Sequence, residues 1–191
     1  MKVLAFNGSP RKGGNTEYLL REAMKPMEAA GIETEVIQLG SKPLQGCTGC
    51  RTCAERKNQR CIFEDDPVND WVQKMIKADG ILLGSPTYYA DITSNTKAFI
   101  DRVGYIIRQN GDLMRRKVGA GVLAVRRGGS IHAFDSINHF FLVSQMIVPG
   151  SIYWNLGIGK EKGEVANDGE GMETMRVLGE NMTWLMQKIR D

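Results

Sequence analysis

A chain of 191 residues with 42% hydrophobic and 25% charged content can form one ordinary domain with a sizeable core, and is too short for two generous ones. That hydrophobic content excludes a disordered chain, and no apolar run approaches the roughly 20 residues needed to span a bilayer. A dispersed formal charge of +3 gives no ground for a nucleic-acid partner. Met1–Phe6 is too short for a signal peptide. The expectation is a single domain over residues 1–191, with a cysteine-rich insertion at about 40–66.

In chain order, Lys2–Asn7 is a short apolar strand that stops at a glycine. A helix then opens at Asn15 or Thr16 and runs to about Ala30, where Gly31 ends it. Thr34–Leu39 alternates like a strand, and residues 40–66 read as a long irregular excursion. Asp66-Pro67 pairs an acidic N-cap with proline at the first helical position, starting a helix to about Ala78. Gly80–Leu83 is a further apolar strand, followed by the loop Ser85–Tyr89 and a helix over about Thr93–Ile107. Val118–Val125 is the fourth strand and leads into Arg126-Arg127-Gly128-Gly129. A helix around Ile131–Leu142, a strand near Met146–Tyr153 and a helix from about Gly171 to Ile189 follow.

Strands alternating with helices imply a parallel sheet covered on both faces, and five strands at this length fit the doubly wound order 2-1-3-4-5. Such sheets bind ligands beyond the carboxyl ends of the strands, where the strand order reverses. The loops after strands 1, 3 and 4 are therefore the places to look for chemistry.

Gly8-Ser9-Pro10-Arg11-Lys12-Gly13-Gly14-Asn15-Thr16 joins the first strand to the first helix. Hydroxyls, two cations, flexible glycines and helix amides converge there, which suits a phosphate. The loop has neither the Walker A spacing nor the G-x-G-x-x-G dinucleotide fingerprint. At these residues the chain resembles the flavodoxin-like NAD(P)H-dependent FMN reductases, and Gly8–Thr16 looks like that family's phosphate loop. The resemblance implies that Ser9, Asn15 and Thr16 bind the FMN phosphate through side chains and amides, with Gly14 in the loop and Arg11 supplying charge. Ser85-Pro86-Thr87-Tyr88-Tyr89 resembles the family's isoalloxazine loop, so Pro86, Thr87, Tyr88 and Tyr89 are expected at the flavin ring. Where the family approaches the pyrimidine edge, the chain has Arg126-Arg127-Gly128-Gly129. Gly128 and Gly129 would bring amides close to the ring. Arg126 departs from the family's usual small polar residues, and flavin contact, a donor's phosphates and a solvated turn all remain open for it.

All four cysteines fall in one segment, Cys47-x2-Cys50-x2-Cys53-x7-Cys61. Structural zinc usually takes two Cys-x2-Cys knuckles a dozen or more residues apart. Three cysteines at successive two-residue gaps look instead like the start of a ferredoxin-type [4Fe–4S] run, with Cys61 closing the same cluster. A cluster-free loop, with thiols or a Cys-x2-Cys disulfide, is the competing reading. The motif resembles the iron-sulfur flavoprotein branch of the same family, and the likeness covers essentially the whole chain. It implies a [4Fe–4S] cluster held by Cys47, Cys50, Cys53 and Cys61. It also implies a homodimer or homotetramer in which each cluster lies close to an FMN, often one bound by a neighbouring subunit. Lys57 and Arg60, inside the last gap, would offset its charge or simply face solvent.

Other unusual residues read as structural. His132 and His139 lie on a helix beside Phe134, Phe140 and Phe141, and Asp65, Asp66, Asp101 and Arg102 suit caps or ion pairs. The ten methionines suit core or subunit contacts, as do Tyr153 and Trp154. No Ser-His-Asp or Cys-His set points to hydrolysis. The expectation is a cytoplasmic flavin-dependent oxidoreductase or electron carrier, taking electrons from ferredoxin or NAD(P)H and passing them to a small-molecule acceptor. A cluster-free NAD(P)H-dependent FMN or quinone reductase, and a non-catalytic flavin-binding redox sensor, are the alternatives.

Overall fold

The computed structural model describes residues 1–190. Five parallel strands form one sheet: β1 Lys2–Asn7, β2 Glu33–Gln38, β3 Gly80–Pro86, β4 Val118–Val125 and β5 Leu156–Ile158. Their order is β2-β1-β3-β4-β5, so the order reverses between β1 and β3. Helices α1 Asn15–Ala29, α3 Val68–Lys77, α4 Ser94–Gln109, α5 Ser130–Val143 and α6 Gly169–Arg190 make the crossovers and the C-terminal layer. A short α2, Thr52–Arg56, sits inside the cysteine segment, where the sequence pattern gave no sign of a helix.

Alternation along the strands divides the core in two. Leu4, Phe6, Ile81 and Leu83 face α3, α4 and α5, meeting Trp71, Phe99, Ile106 and Phe141. Val3, Ala5, Leu82 and Val122 point the other way, onto α1 and α6, where Met24, Met27, Met175, Met182 and Met186 pack with Leu19 and Leu178. Those methionines are core filling. No helix among the described residues is long and apolar enough to cross a membrane.

Helix starts follow their local chemistry. Thr93 caps α4 by accepting a hydrogen bond from the Thr96 amide. The Asp66 carboxylate accepts from the Val68 amide at 3.1 Å at the start of α3.

The fifth strand lies later than its apolar run predicts. Within Met146–Tyr153 only Ile147 bridges to the sheet, beside Val118. Pro149 has no N–H for the ladder and Gly150 loosens the backbone, so the chain departs there and rejoins as Leu156–Ile158 beside Leu123–Val125.

Candidate functional site

A cleft of about 380 Å³ opens at the carboxyl ends of the strands, within the usual size range of small-molecule sites. Ser9, Arg11, Gly14, Asn15 and Thr16 line it from the first loop, Pro86, Thr87 and Tyr88 from the third strand's loop, and Arg126 from the fourth. Parallel strands deliver all their following loops to one edge, which brings these distant residues together.

The first loop is braced on several sides. Its Gly8 amide donates to the Gly84 carbonyl at 2.8 Å, and the Thr93 hydroxyl donates to the Gly8 carbonyl at 2.9 Å. A side chain at Gly8 would strike the Thr96 hydroxyl, at 1.9 Å from the Cβ position, so the approach of β1 to α4 requires glycine. The Gly13 amide donates to Glu17 at 2.7 Å. Burial pushes the Glu17 carboxyl up, but Arg21 and the Gly13 amide outweigh it and hold the group below the usual range. No side chain caps α1, so its first amides face the cleft without partners. The hydroxyls of Thr16 and Thr87 are buried and have no hydrogen-bond partner in the protein. An unmet buried hydroxyl costs about 1–3 kcal/mol, so both call for a ligand atom.

Three placements differ from those anticipated. The Asn15 side chain, expected at the phosphate, is committed elsewhere. It donates to the Gly159 carbonyl at 3.0 Å and accepts from the Gly163 amide at 2.8 Å, which leaves one Nδ2–H and the backbone amide for a ligand. Tyr89 stands fully exposed at the tip of a turn in which Tyr88 and Asp91 exchange backbone hydrogen bonds of 2.8 and 3.0 Å. Tyr89 and Ala90 both have positive φ, 48° and 63°, a conformation costing about 1–3 kcal/mol for each residue with a side chain. Gly128 and Gly129 are outside the cleft lining; Gly129, at φ 82°, abuts Ala90 at the rim.

A fourth wall lies outside the loops after strands 1, 3 and 4. Gly159, Lys160, Glu161 and Lys162, after β5, complete the cleft, and Lys162 reaches the space beside Gly13. Lys-Glu-Lys-Gly after a strand was the available signal, hidden by the misplaced strand 5.

The cysteines gather at a second place. Asn95 of α4 donates to the Leu39 carbonyl at 3.1 Å and accepts from the Leu44 amide at 3.1 Å, turning the chain down along the outside of α4. Positive φ angles at Arg51, Lys57 and Gln59 then wrap it into a tight coil. Cys47, Cys50, Cys53 and Cys61 line one small cavity with Phe63, Arg102, Tyr105 and Ile106. All four are free thiols. Asn69 fixes Cys61 from both sides, accepting from its amide at 2.7 Å and donating to its carbonyl at 3.2 Å.

Burial pushes the Cys53 thiol up, and negative charge on Cys61 adds to that. Cys50 is exposed, and donation from the Thr52 hydroxyl and amide holds it below the ordinary thiol value. Among the described residues no three His, Cys, Asp or Glu side chains form a group placed to hold a single metal ion. Zinc would require sulfurs about 3.8 Å apart, from its 2.3 Å bonds in a tetrahedron. Arg102 on α4 is fully buried, and its Nε and Nη2 have no partner in the protein. A donor set of four thiols beside a buried cation with donors still free suits a negatively charged iron–sulfur centre.

The doubly wound sheet, with a polar cleft at the reversal of strand order, defines a flavodoxin-like protein. An archaeal flavodoxin of solved structure superposes with a TM-score of 0.64 at 16% identity, over 98% of this chain and 99% of the other. Residues 1–161 match the family described as NADPH-dependent FMN reductase. An iron-sulfur flavoprotein of Methanocaldococcus jannaschii is 40% identical over the full length of both chains, and one of Methanosarcina thermophila is 31% identical over the same extent. The chain belongs to the NADPH-dependent FMN reductase family, in its iron-sulfur flavoprotein branch, and is an FMN-binding redox protein.

Proposed function

We propose that the chain exchanges electrons between FMN in the cleft and a [4Fe–4S] cluster held by Cys47, Cys50, Cys53 and Cys61. The observation that carries this reading is the gathering of all four thiols around one cavity beside Arg102, whose Nε and Nη2 have no partner in the protein. When bound, FMN supplies two-electron chemistry that can also proceed one electron at a time, and a [4Fe–4S] centre supplies one-electron exchange.

The protein's task is to bind and orient. Ser9, Arg11, Thr16 and the α1 amides of Asn15 and Thr16, after Gly14, hold the phosphate, with Lys162 adding charge. Pro86, Thr87 and Tyr88 frame the ring system, and Tyr89, Gly128 and Gly129 form the rim. Arg126 faces the cleft and is positioned to favour negative charge there.

Ferredoxin or NAD(P)H supplies the electrons and a small molecule receives them. With no dinucleotide fingerprint in the chain, a nicotinamide would dock transiently over the exposed flavin face. The family likeness implies exchange across a homo-oligomer contact. The open apolar groove of Phe134, Leu142, Tyr153 and Trp154 supports such an assembly.

Titrating the purified protein with FMN tests the cleft. Saturable fluorescence quenching is expected, and Thr16→Val or Arg11→Ala should weaken FMN at least tenfold while changing riboflavin affinity little. No quenching, or equal loss for both flavins, would contradict the phosphate site.

A further inference from the structure

Arg102 is the one fully buried charged side chain among the described residues. Helix α4 carries it to the wall of the cysteine cavity, beneath Phe63, whose ring centroid lies 5.4 Å from the guanidinium carbon. Only Nη1 is occupied: it donates to the Asp66 carboxylate and, at 3.4 Å, to the Gln45 carbonyl. Nε and both protons of Nη2 remain without acceptors. An ion pair serving the fold alone would be met by one nitrogen, and a lysine would suffice for it. A rigid fork with three further N–H groups, set beside Cys61 at a cavity of thiols, has donors to spare for sulfur.

We infer that Arg102 sets the reduction potential of the cluster, donating through Nε and Nη2 to the Cys61 sulfur and to cluster sulfide. This rests on the proposal that the four cysteines hold a cluster. A thiolate-ligated cluster is negative and becomes more so on reduction, so a fixed cation in a dry site favours the reduced state and raises the potential. Asp66 works against it, because its carboxylate screens the guanidinium. The titratable groups facing Arg102 are the Asp66 carboxylate and the Cys61 thiol. Asp66 need not be charged to start α3, since an amide oxygen would still accept from Val68.

The two members of the pair therefore have opposite signatures. Arg102→Gln should lower the cluster's midpoint potential and Asp66→Asn should raise it, as read by EPR-monitored titration of anaerobically purified full-length protein with dithionite. FMN fluorescence quenching checks that each variant is folded. If Arg102→Gln does not fold, Arg102→Lys, which keeps the charge and loses the fork, should give a potential below wild type, and Asp66→Asn is read independently. Cluster-loaded variants with unchanged potentials, or both shifted the same way, would overturn the role of Arg102 and leave the cluster assignment standing. Wild-type protein with FMN but without iron and sulfide would overturn the cluster assignment and this role with it.

Discussion

At the scale of single residues, the two sites impose opposite demands on their side chains. The flavin cleft leaves the Thr16 and Thr87 hydroxyls buried and unmatched, while the cysteine cavity separates its thiols by environment. Cys50, exposed and stabilised as thiolate by Thr52, contrasts with Cys53, whose burial pushes its thiol up. Since the thiolate is the nucleophile, metal-free protein at neutral pH should be alkylated by iodoacetamide at Cys50 before Cys53. Thr52→Val should slow the reaction at Cys50 severalfold, as peptide mass mapping would show. Faster reaction at Cys53, or no effect of Thr52→Val, would contradict this account of the loop. The spacing of the cysteines was legible in the sequence, and so was most of the cleft lining. The commitment of Asn15 to the loop after β5 was not, because a residue's partner 148 positions away leaves no local trace. Arg102 looked like an ordinary ion-pair residue for the same reason: its pairing with Asp66 is real, and its unpaired nitrogens show only in three dimensions.

Among the elements, apolar runs and helical stretches bounded by glycine located β1, β4, α1 and α4 to within a residue or two. The strand-5 run failed because it contains Pro149, and one bridge at Ile147 is all that its apolar content secures. Strand β2 is the opposite case: an edge strand with a charged face, tied to its neighbours through Glu35, which accepts from Lys74 of α3 and lies 3.1 Å from Lys2 of β1. The hydrogen bond from Lys74 lowers the Glu35 carboxyl below its ordinary value, burial opposes it, and Lys2 adds to the lowering. A carboxyl whose folded value is depressed contributes stability above its unfolded value, near 4.3, and loses it as pH falls through the folded value. Glu35→Gln should therefore cost less than about 1 kcal/mol in urea unfolding at pH 7, the side chain being partly exposed, and still less at pH 3. An equal or greater cost at pH 3 would refute the pairing.

For the whole molecule, the doubly wound sheet explains why both sites exist on one chain. Carboxyl-end loops after β1, β3, β4 and β5 make the cleft, and the connection from β2 to α3, freed from the sheet by the edge position of β2, wraps the cysteines against α4. Strand order and family were legible from motif spacing in register along the chain. The wall from Lys160 to Lys162 was not, since it depends on where β5 finally pairs. The central claim is that one polypeptide carries a flavin and an iron–sulfur cluster together. Metal, sulfide and flavin analysis of anaerobically purified protein tests it most directly. The account predicts iron and acid-labile sulfide in equal amounts, about four of each per chain, alongside FMN; protein that retains FMN but contains neither iron nor sulfide would contradict it.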